Sequence, residues 1–329
     1  MDTTVVPTDS RAGSFLLSTF ILLGIAWIVY FCRIYTRIYI VRGIFPEDYF
    51  ITIGMTSLTI FAAMVPVQTS HGGGAHFLNI PNPEYNIPRW GHAFFIAQQM
   101  YVVTLFGVKM SIAFLLLRFS ASKALDWTLY GVAGVTTGLT IAFTLWLTFQ
   151  CSPVAAQWDT SIEGVCVSRD AYVDSVYILS AFSAATDIIT AIAPIFVLRN
   201  LTLDQKSKWS AAITMGLGSV ACIATIVRFK FIRDFSISTD VTYAMVHLSI
   251  ASFVEVALGC ICASLATLRP FLQGFLVRNQ RGELLGEEEA EPPGIEVSAC
   301  YDEAHKSWDT QETVEEDELI PATRKYSGV

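Results

Sequence analysis

Three ionisable side chains lie inside long apolar stretches of the sequence. Glu255 is the one carboxylate in HLSIASFVEVALGCICASLATL, and Asp187 and Lys109 lie in two other such stretches. A charge at the centre of a bilayer costs about 2.5–3.5 kcal/mol on insertion scales, so such groups face a bundle interior and find partners. Lys109 can neutralise one carboxylate, and a second carboxyl that stays protonated can act as a general acid. These residues therefore predict a polar centre that binds a ligand or performs acid catalysis.

A structural role for the same residues is the alternative. If Lys109 bridges Asp187 and Glu255, the three residues only hold their helices together. Helix rise places Asp187 and Glu255 near the middle of their stretches and Lys109 about 6 Å past the middle of its own, so all three can share one depth. Asp174 lies about four turns from Asp187 and is expected near the outer surface, outside this set.

The composition predicts the elements that position these side chains. Of the 329 residues, 53% are hydrophobic and 15% are charged, whereas soluble chains carry about 25% charged residues. Seven apolar stretches are long enough to cross about 30 Å of hydrocarbon. They are Gly13–Cys32, Tyr49–Ser70, Ala93–Leu117, Trp127–Gln150, Ala171–Leu198, Trp209–Val227 and Val241–Leu268. The expected fold is an all-α membrane protein with a seven-transmembrane helix bundle over residues 13–270.

Basic residues in the connecting loops predict the orientation of the bundle. The loops on one side carry eleven Lys and Arg residues, and those on the other side carry six. Because short cytoplasmic loops are enriched in basic residues, we expect residues 1–12 to form a short extracellular N-terminus and the C-terminus to be cytoplasmic. The exception is the predicted loop between the sixth and seventh spans. It lies on the outer side in this orientation but contains three basic residues, Arg228, Lys230 and Arg233. The expected localisation is integral and multi-pass, in the plasma membrane or an endomembrane.

The C-terminal segment has a different composition from the rest. Residues 271–329 hold 14 of the 29 acidic residues and five of the 21 basic ones. Runs such as GEEEAEPPG contain few apolar residues and predict a disordered acidic cytoplasmic tail. Such a tail either keeps the protein soluble at the membrane surface or binds a cytoplasmic partner. No nucleic-acid partner is expected.

Two short motifs predict contacts at opposite ends of the bundle. In CSPVAAQWDTSIEGVC, Cys151 and Cys166 share one short loop on the predicted outer side, where oxidising conditions favour a disulfide. At the other end, Arg33 and Arg37 lie one helical turn apart. They can reach Glu47 and Asp48, or lipid phosphates, and would then mark the cytoplasmic boundary.

A series of motifs runs through the chain in a defined order. It comprises RIYTR followed by ED, then GGGAH, KMSIAFLLLR, CSPVAAQW with GVC, and LRP after the last span. Their order and spacing over Arg33 to Pro270 resemble the fungal rhodopsin-domain integral membrane protein family. That family includes Pth-type receptor-like proteins and members encoded in secondary-metabolite clusters, such as the satratoxin cluster. The resemblance implies a seven-helix membrane protein with a receptor-like or a biosynthetic role.

The motifs expected of light-driven or G-protein-coupled proteins are missing from the sequence. A retinal pigment needs a lysine in the final helix to form its Schiff base, and the seventh predicted span has none. The third span ends in LLLRFS rather than in an Asp-Arg-Tyr triplet, and the seventh contains no Asn-Pro pair. His71 and His76 flank three glycines, but with His92 alone nearby they are too few for a metal site. No cofactor and no metal are therefore expected.

Two functions remain open from the sequence. The first is a seven-helix protein that binds or senses a small lipophilic ligand, either within a secondary-metabolite biosynthetic pathway or outside one. The alternative is a membrane-embedded biosynthetic enzyme, such as an acid-catalysed isoprenoid cyclase, that uses Asp187 or Glu255.

Overall fold

The computed structural model describes residues 11–118, 123–159, 161–199, 225–233 and 241–268. The predicted acidic tail and most of the sixth predicted span lie outside these ranges. Within them the chain is almost entirely helical. The long helices are α1 (Ala12–Tyr35), α2 (Pro46–Ser70), α3 (Pro83–Arg118), α4 (Lys123–Thr148), α5 (Arg169–Arg199) and α7 (Val241–Thr267), and residues 225–233 form α6.

Six stretches of the described chain are long and apolar enough to cross a membrane, and they include the first to fifth and the seventh predicted spans. The protein is therefore a multi-pass membrane protein. Several helix limits differ from the prediction, most of all the start of α3. α3 begins at Pro83, ten residues before the apolar stretch, because a helix can continue beyond the hydrocarbon where its residues become polar. Arg228, Lys230 and Arg233 lie in α6 rather than in a loop, so that assignment was wrong.

α1 does not stop at its last α-helical turn. It continues as a π-helix over Thr36–Val41, and Arg42 then adopts a left-handed conformation with φ of 54°. A wider helical turn of this kind rotates the side chains that follow it relative to those before it. Arg33 and Arg37, on either side of the junction, are both buried and both point at the start of α2.

The core of the bundle lies among α1, α2, α3 and α7. α2 and α3 approach so closely at Gly54 and Gly107 that a Cβ atom on Gly107 would lie 2.7 Å from the Phe50 carbonyl oxygen and 2.8 Å from the Gly54 nitrogen. Phe61 of α2 and Phe253 of α7 pack edge to face, with ring centroids 5.2 Å apart. Because protein interiors are close-packed, these contacts fix the position of α2 against α3 and α7.

The loop between α4 and α5 is held together covalently. β1 (Cys151–Ser152) pairs antiparallel with β2 (Val165–Cys166), and a disulfide joins Cys151 to Cys166, as predicted from the sequence. Between the strands, Trp158 packs against the rings of His92 and Phe95 on α3. The disulfide loop is thereby fixed to the first turns of α3.

Candidate ligand-binding site

Lys109 and Asp187 come together in the structure, as a pair between α3 and α5. The Lys109 ammonium donates to the Asp187 carboxylate, to the Ser183 carbonyl oxygen at 3.1 Å and to the Thr186 hydroxyl at 2.8 Å. An ammonium has three N–H donors, and these bonds use all of them. The Lys109 ammonium therefore has no donor left for a ligand.

Glu255 has a different set of partners, on α3 and α6. Its Oε2 accepts hydrogen bonds from the Tyr101 hydroxyl at 3.0 Å and from the Arg228 guanidinium at 3.3 Å. Its Oε1 accepts one from the Thr225 hydroxyl at 3.0 Å. Arg228 also donates to the Tyr101 oxygen and lies over the Tyr101 ring. The counter-charge of Glu255 is therefore Arg228.

The structural alternative, in which Lys109 bridges both carboxylates, was wrong. Tyr101, which contacts Glu255, precedes Lys109 by eight residues on α3, or about 12 Å of helix rise. The three predicted residues thus belong to two separate clusters at different depths. Hydropathy gives the depth of a residue to within a few positions but not the rotation of its helix, so the choice of partner could not be read from it. Asp174 is exposed, as expected for a residue outside the set.

Arg228 and Tyr101 are the residues that sequence reasoning missed. Arg228 was assigned to a loop because it directly follows an apolar stretch. The spacing of its neighbours did carry a signal: Thr225, Arg228 and Ile232 recur at intervals of three and four residues and are all buried. This is the period of one helix face turned toward a core, and it could have placed Arg228 inside the bundle.

A cavity opens beside the Glu255 cluster, and we call it the Arg228 cavity. The empty space in and in front of the cavity, including the part open at its mouth, is about 560 Å³. Its lining comes from α2 to α7 and is mostly apolar. The apolar lining residues are Phe61, Phe94, Ala97, Val102, Phe143, Leu147, Val176, Leu179 and Leu248, and the polar ones are Gln98, Tyr101, Tyr172, Ser175, Arg228, Ser249 and Ser252. Small-molecule sites have this composition, an apolar wall with a few placed polar groups.

Arg228 is the one charged residue among those described in the cavity lining. It is 4% exposed, and within the described part of the chain its Nε has no hydrogen-bond partner. Two neighbouring donors are bonded within the protein: the Gln98 amide donates to the Tyr172 hydroxyl at 2.5 Å, and Tyr101 donates to Glu255. A buried donor without a partner costs free energy until something accepts from it.

A second cavity, of about 370 Å³ counted to its mouth, lies among α3, α4 and α5. Lys109, Ser183 and Thr186 form its polar part, and Leu105, Phe106 and Leu139 are among its apolar lining. The Lys109 donors are already occupied, so this cavity offers a ligand less than the Arg228 cavity does.

The predicted boundary residues form a compact ion network at the opposite ends of these helices. Arg33 donates to Asp48 from Nε at 2.9 Å and from Nη2 at 2.7 Å, and Arg37 donates to Glu47 at 2.8 Å. Arg118 at the end of α3 reaches Glu47 at 3.4 Å. The network ties α1, α2 and α3 together.

The histidines of the glycine-rich loop take part in local contacts. His71 Nδ1 lies 2.9 Å from the Asn86 side-chain oxygen, and the His76 ring stacks on Tyr243 with centroids 4.4 Å apart. Among the described residues no group of three His, Cys, Asp or Glu side chains is arranged to hold a metal ion.

The chain matches a known protein family over most of its length. The family model described as the fungal rhodopsin domain matches residues 32–274. The protein belongs to the fungal rhodopsin family. The resemblance inferred from the motifs is therefore confirmed. The matched region contains the boundary network, the Lys109–Asp187 pair and the Arg228 cavity of this fungal rhodopsin domain.

Individual relatives are more distant and have different names. The chain is 24% identical over 221 residues to the SAT4 family membrane protein of Emericella nidulans; the alignment covers 65% of this chain and 54% of that protein. It is 24% identical to Wortmanamides biosynthesis cluster protein C of Talaromyces wortmannii, over 81% of this chain and 72% of that protein. It is 22% identical to Receptor GIN3 of Arthrobotrys oligospora, over 72% of this chain and 57% of that protein. The chain thus spans about half the length of the first and third of these fungal rhodopsin-like relatives.

Proposed function

We propose that this fungal rhodopsin-like protein binds a small, largely apolar molecule in the Arg228 cavity. It would sense or carry that molecule in connection with a secondary-metabolite pathway. One observation carries the proposal: a buried arginine, which among the described residues donates only from Nη1, lies in the wall of a mostly apolar cavity. An apolar ligand would fill the cavity by the hydrophobic effect, and the arginine would orient it.

The contacts of the two carboxylates favour binding over acid catalysis. A general acid must hold a proton that it can give to the substrate. Glu255 instead accepts three hydrogen bonds, one of them from a guanidinium, and Asp187 is paired with Lys109. Both sets of partners match the acceptor oxygens of an ionised carboxylate. Neither residue is arranged as the acid that an isoprenoid cyclase would need.

The names of the relatives support both halves of the proposal. One is named as a receptor and another as a biosynthesis cluster protein. A cavity that binds a lipophilic metabolite is compatible with either setting, because sensing and handling of such a compound begin with the same binding step.

We further propose that the chain crosses the membrane seven times with its N-terminus outside. The predicted span Trp209–Val227, together with α6, would form the sixth crossing in chain order and bring the total to seven. The Cys151–Cys166 disulfide supports an outer location for its loop, since disulfides persist in oxidising compartments. We expect the C-terminal tail to be cytoplasmic and available to a partner there.

Glycosylation tests this orientation. Asn200 lies in NLT, the one N-glycosylation sequon of the sequence, and should carry no glycan because it follows α5 on the cytoplasmic side. The variant Asp159→Asn creates a sequon with Thr160 and Ser161 in the disulfide loop and should gain a glycan. Glycan on Asn200 in the unaltered protein would reverse the orientation.

Ligand retention tests the binding function. Wild-type protein and the variant Ala97→Phe, which places a phenyl group in the cavity, would be purified from fungal membranes in polymer nanodiscs, and bound small molecules would be identified by mass spectrometry. Ala142→Phe is the matched control, because Ala142 lies on the exposed side of α4. We expect a lipophilic compound with the wild type and the control that is depleted from Ala97→Phe. Equal amounts in all three would contradict the proposal.

Metabolite profiles distinguish the binding protein from the enzyme. Cells without the gene would be complemented with the wild type or with Glu255→Gln, and lipophilic metabolites would be extracted and compared. Loss of a product with accumulation of its precursor, unrescued by Glu255→Gln, would favour the enzyme. We expect no precursor to accumulate.

A further inference from the structure

We infer that the ligand of the Arg228 cavity is electrically neutral and carries an acceptor oxygen, as a ketone, an ester or a lactone does. The inference rests on the proposed function and narrows its ligand to one chemical class. Two features of the cavity support it, the balance of its charges and the balance of its hydrogen-bond donors and acceptors.

The charge of Arg228 is already compensated. Its guanidinium lies 3.3 Å from the Glu255 carboxylate, and the two side chains are 5% and 4% exposed. Among the described residues of the cavity wall there is no second cation. A carboxylate ligand would therefore add an uncompensated negative charge close to Glu255, in surroundings where a buried charge without a partner is strongly disfavoured. A neutral ligand avoids that cost.

The charged hydrogen-bonding group in the described cavity wall is a donor. Among the described residues Arg228 donates only from Nη1, while the Tyr101 oxygen already accepts from Arg228 and its hydroxyl donates to Glu255. A guanidinium has five donors and no acceptor. A ligand oxygen with lone pairs can bond to it, whereas an ammonium would meet a second cation. The rest of the wall is largely apolar and suits a hydrocarbon body.

A matched series of ten-carbon probes tests this ligand class. The probes are methyl decanoate, decanoate, decylammonium and decane, added to wild-type protein in nanodiscs of neutral phosphatidylcholine at pH 7.5. Affinities follow from the dependence of the melting temperature on probe concentration. The same titrations on Ala97→Phe give the contribution of probe dissolved in the lipid, which is subtracted.

We expect methyl decanoate to bind at least about tenfold more tightly than decane, the value of one hydrogen bond to a charged group. We also expect it to bind more tightly than decanoate and decylammonium. Tighter binding of decanoate, or equal binding of decane and the ester, would overturn the inference while leaving the cavity as a binding site. If no probe distinguishes wild type from Ala97→Phe, the proposed site fails and the inference fails with it.

Glu255→Gln provides a second test in the same assay. Glutamine retains an oxygen that can accept from Tyr101 but leaves the Arg228 charge uncompensated. We expect the order of affinities to reverse, with decanoate now binding more tightly than methyl decanoate. An unchanged order in a folded variant would show that the Glu255 charge does not control selectivity and would overturn the charge argument.

Discussion

Two buried arginines, Arg33 and Arg228, show how the same residue type can serve different ends. Arg33 donates from Nε and Nη2 to Asp48 and from Nη1 to the Ala263 carbonyl oxygen of α7, so each of its nitrogens has a partner. Arg228 directs Nη1 to Tyr101 and Glu255, lines a cavity, and has an Nε without a partner among the described residues. A guanidinium whose nitrogens all have partners holds helices together. One that lines a cavity and has donors without protein partners can also bind a ligand.

The surroundings of the two arginines sharpen the contrast. The Arg33 network lies at the start of α2, where Glu47 and Asp48 occupy the first turn and Asp48 accepts from the Phe45 backbone at 3.1 Å. Acidic residues at a helix N-terminus are favoured by the helix dipole. Neither of the two cavities described above is lined by a residue of this network. The Arg228 cluster instead adjoins open volume, which is what a binding site requires.

The largest expected effect is on the Arg33 network. Asp48→Asn leaves the fully buried Arg33 without its counter-charge, and removing one partner of a buried ion pair costs about 3–5 kcal/mol. We expect a large loss of folded protein, measured as the monodisperse fraction after detergent extraction and as melting temperature. Asp174→Asn, at an exposed position on α5, is the matched control and should behave as wild type. A variant at position 48 as stable as this control would contradict a structural role for the network.

The next effect concerns the disulfide loop. Replacing Cys151 and Cys166 by serine removes a cross-link between residues 15 apart, for which loop entropy predicts about 3 kcal/mol. We expect a lower melting temperature and faster proteolysis within 152–165, with Trp158 released from α3. Chemical reduction of the wild type should give the same change. A melting temperature insensitive to both treatments would show that the loop does not stabilise this part of the bundle.

A smaller effect is expected at Gly107, where α2 and α3 touch. In the variant Gly107→Ala, the added methyl group would meet backbone atoms of Phe50 and Gly54 at 2.9 Å or less. Overpacking of this kind costs about 1–3 kcal/mol. Gly138→Ala in α4 is the control, because nothing lies within 4 Å of its added methyl group and alanine favours a helix by up to about 1 kcal/mol. Opposite shifts in melting temperature would confirm the close approach; parallel shifts would refute it.

The smallest effect on stability is expected from replacing the Arg228 pair as a whole. Changing Arg228 and Glu255 together to methionine removes both charges, and such replacements are often close to neutral for stability. We expect a melting temperature near that of the wild type with loss of the preference for methyl decanoate over decane. Retained preference in the double variant would show that Arg228 does not orient the ligand. A collapse as severe as that of Asp48→Asn would remove the distinction between the two arginines.

Much of this fold could be predicted from the sequence, because a membrane imposes length and hydropathy on every crossing. Six of the seven predicted spans coincide with described helices, and the Cys151–Cys166 pair followed from its loop. The contacts of Arg33 and Arg37 with Glu47 and Asp48 also matched, since all four lie within one helix–turn–helix segment and sequence proximity limits their choice of partners.

The pairing of residues distant in sequence could not be predicted. Lys109 contacts Asp187 and not Glu255 because of how α3 and α5 are rotated, and hydropathy contains no information on rotation. Arg228 was missed because its position just after an apolar stretch is typical of a loop. Only the three-to-four-residue spacing of Thr225, Arg228 and Ile232 distinguishes it from Lys230 and Arg233.

The length of α3 has a mechanical consequence. Tyr101, Lys109 and Arg118 each make a charged or polar contact with a different helix, and 17 residues separate the first from the last, about 25 Å of helix rise. The two prolines of α3, Pro83 and Pro88, precede that segment, so no proline kinks it and it is a stiff element. A push of 1 Å along its axis at Tyr101 would therefore displace Arg118 by about the same distance. Arg118 lies 3.4 Å from Glu47, so a small displacement of this end of α3 would make or break the contact between them.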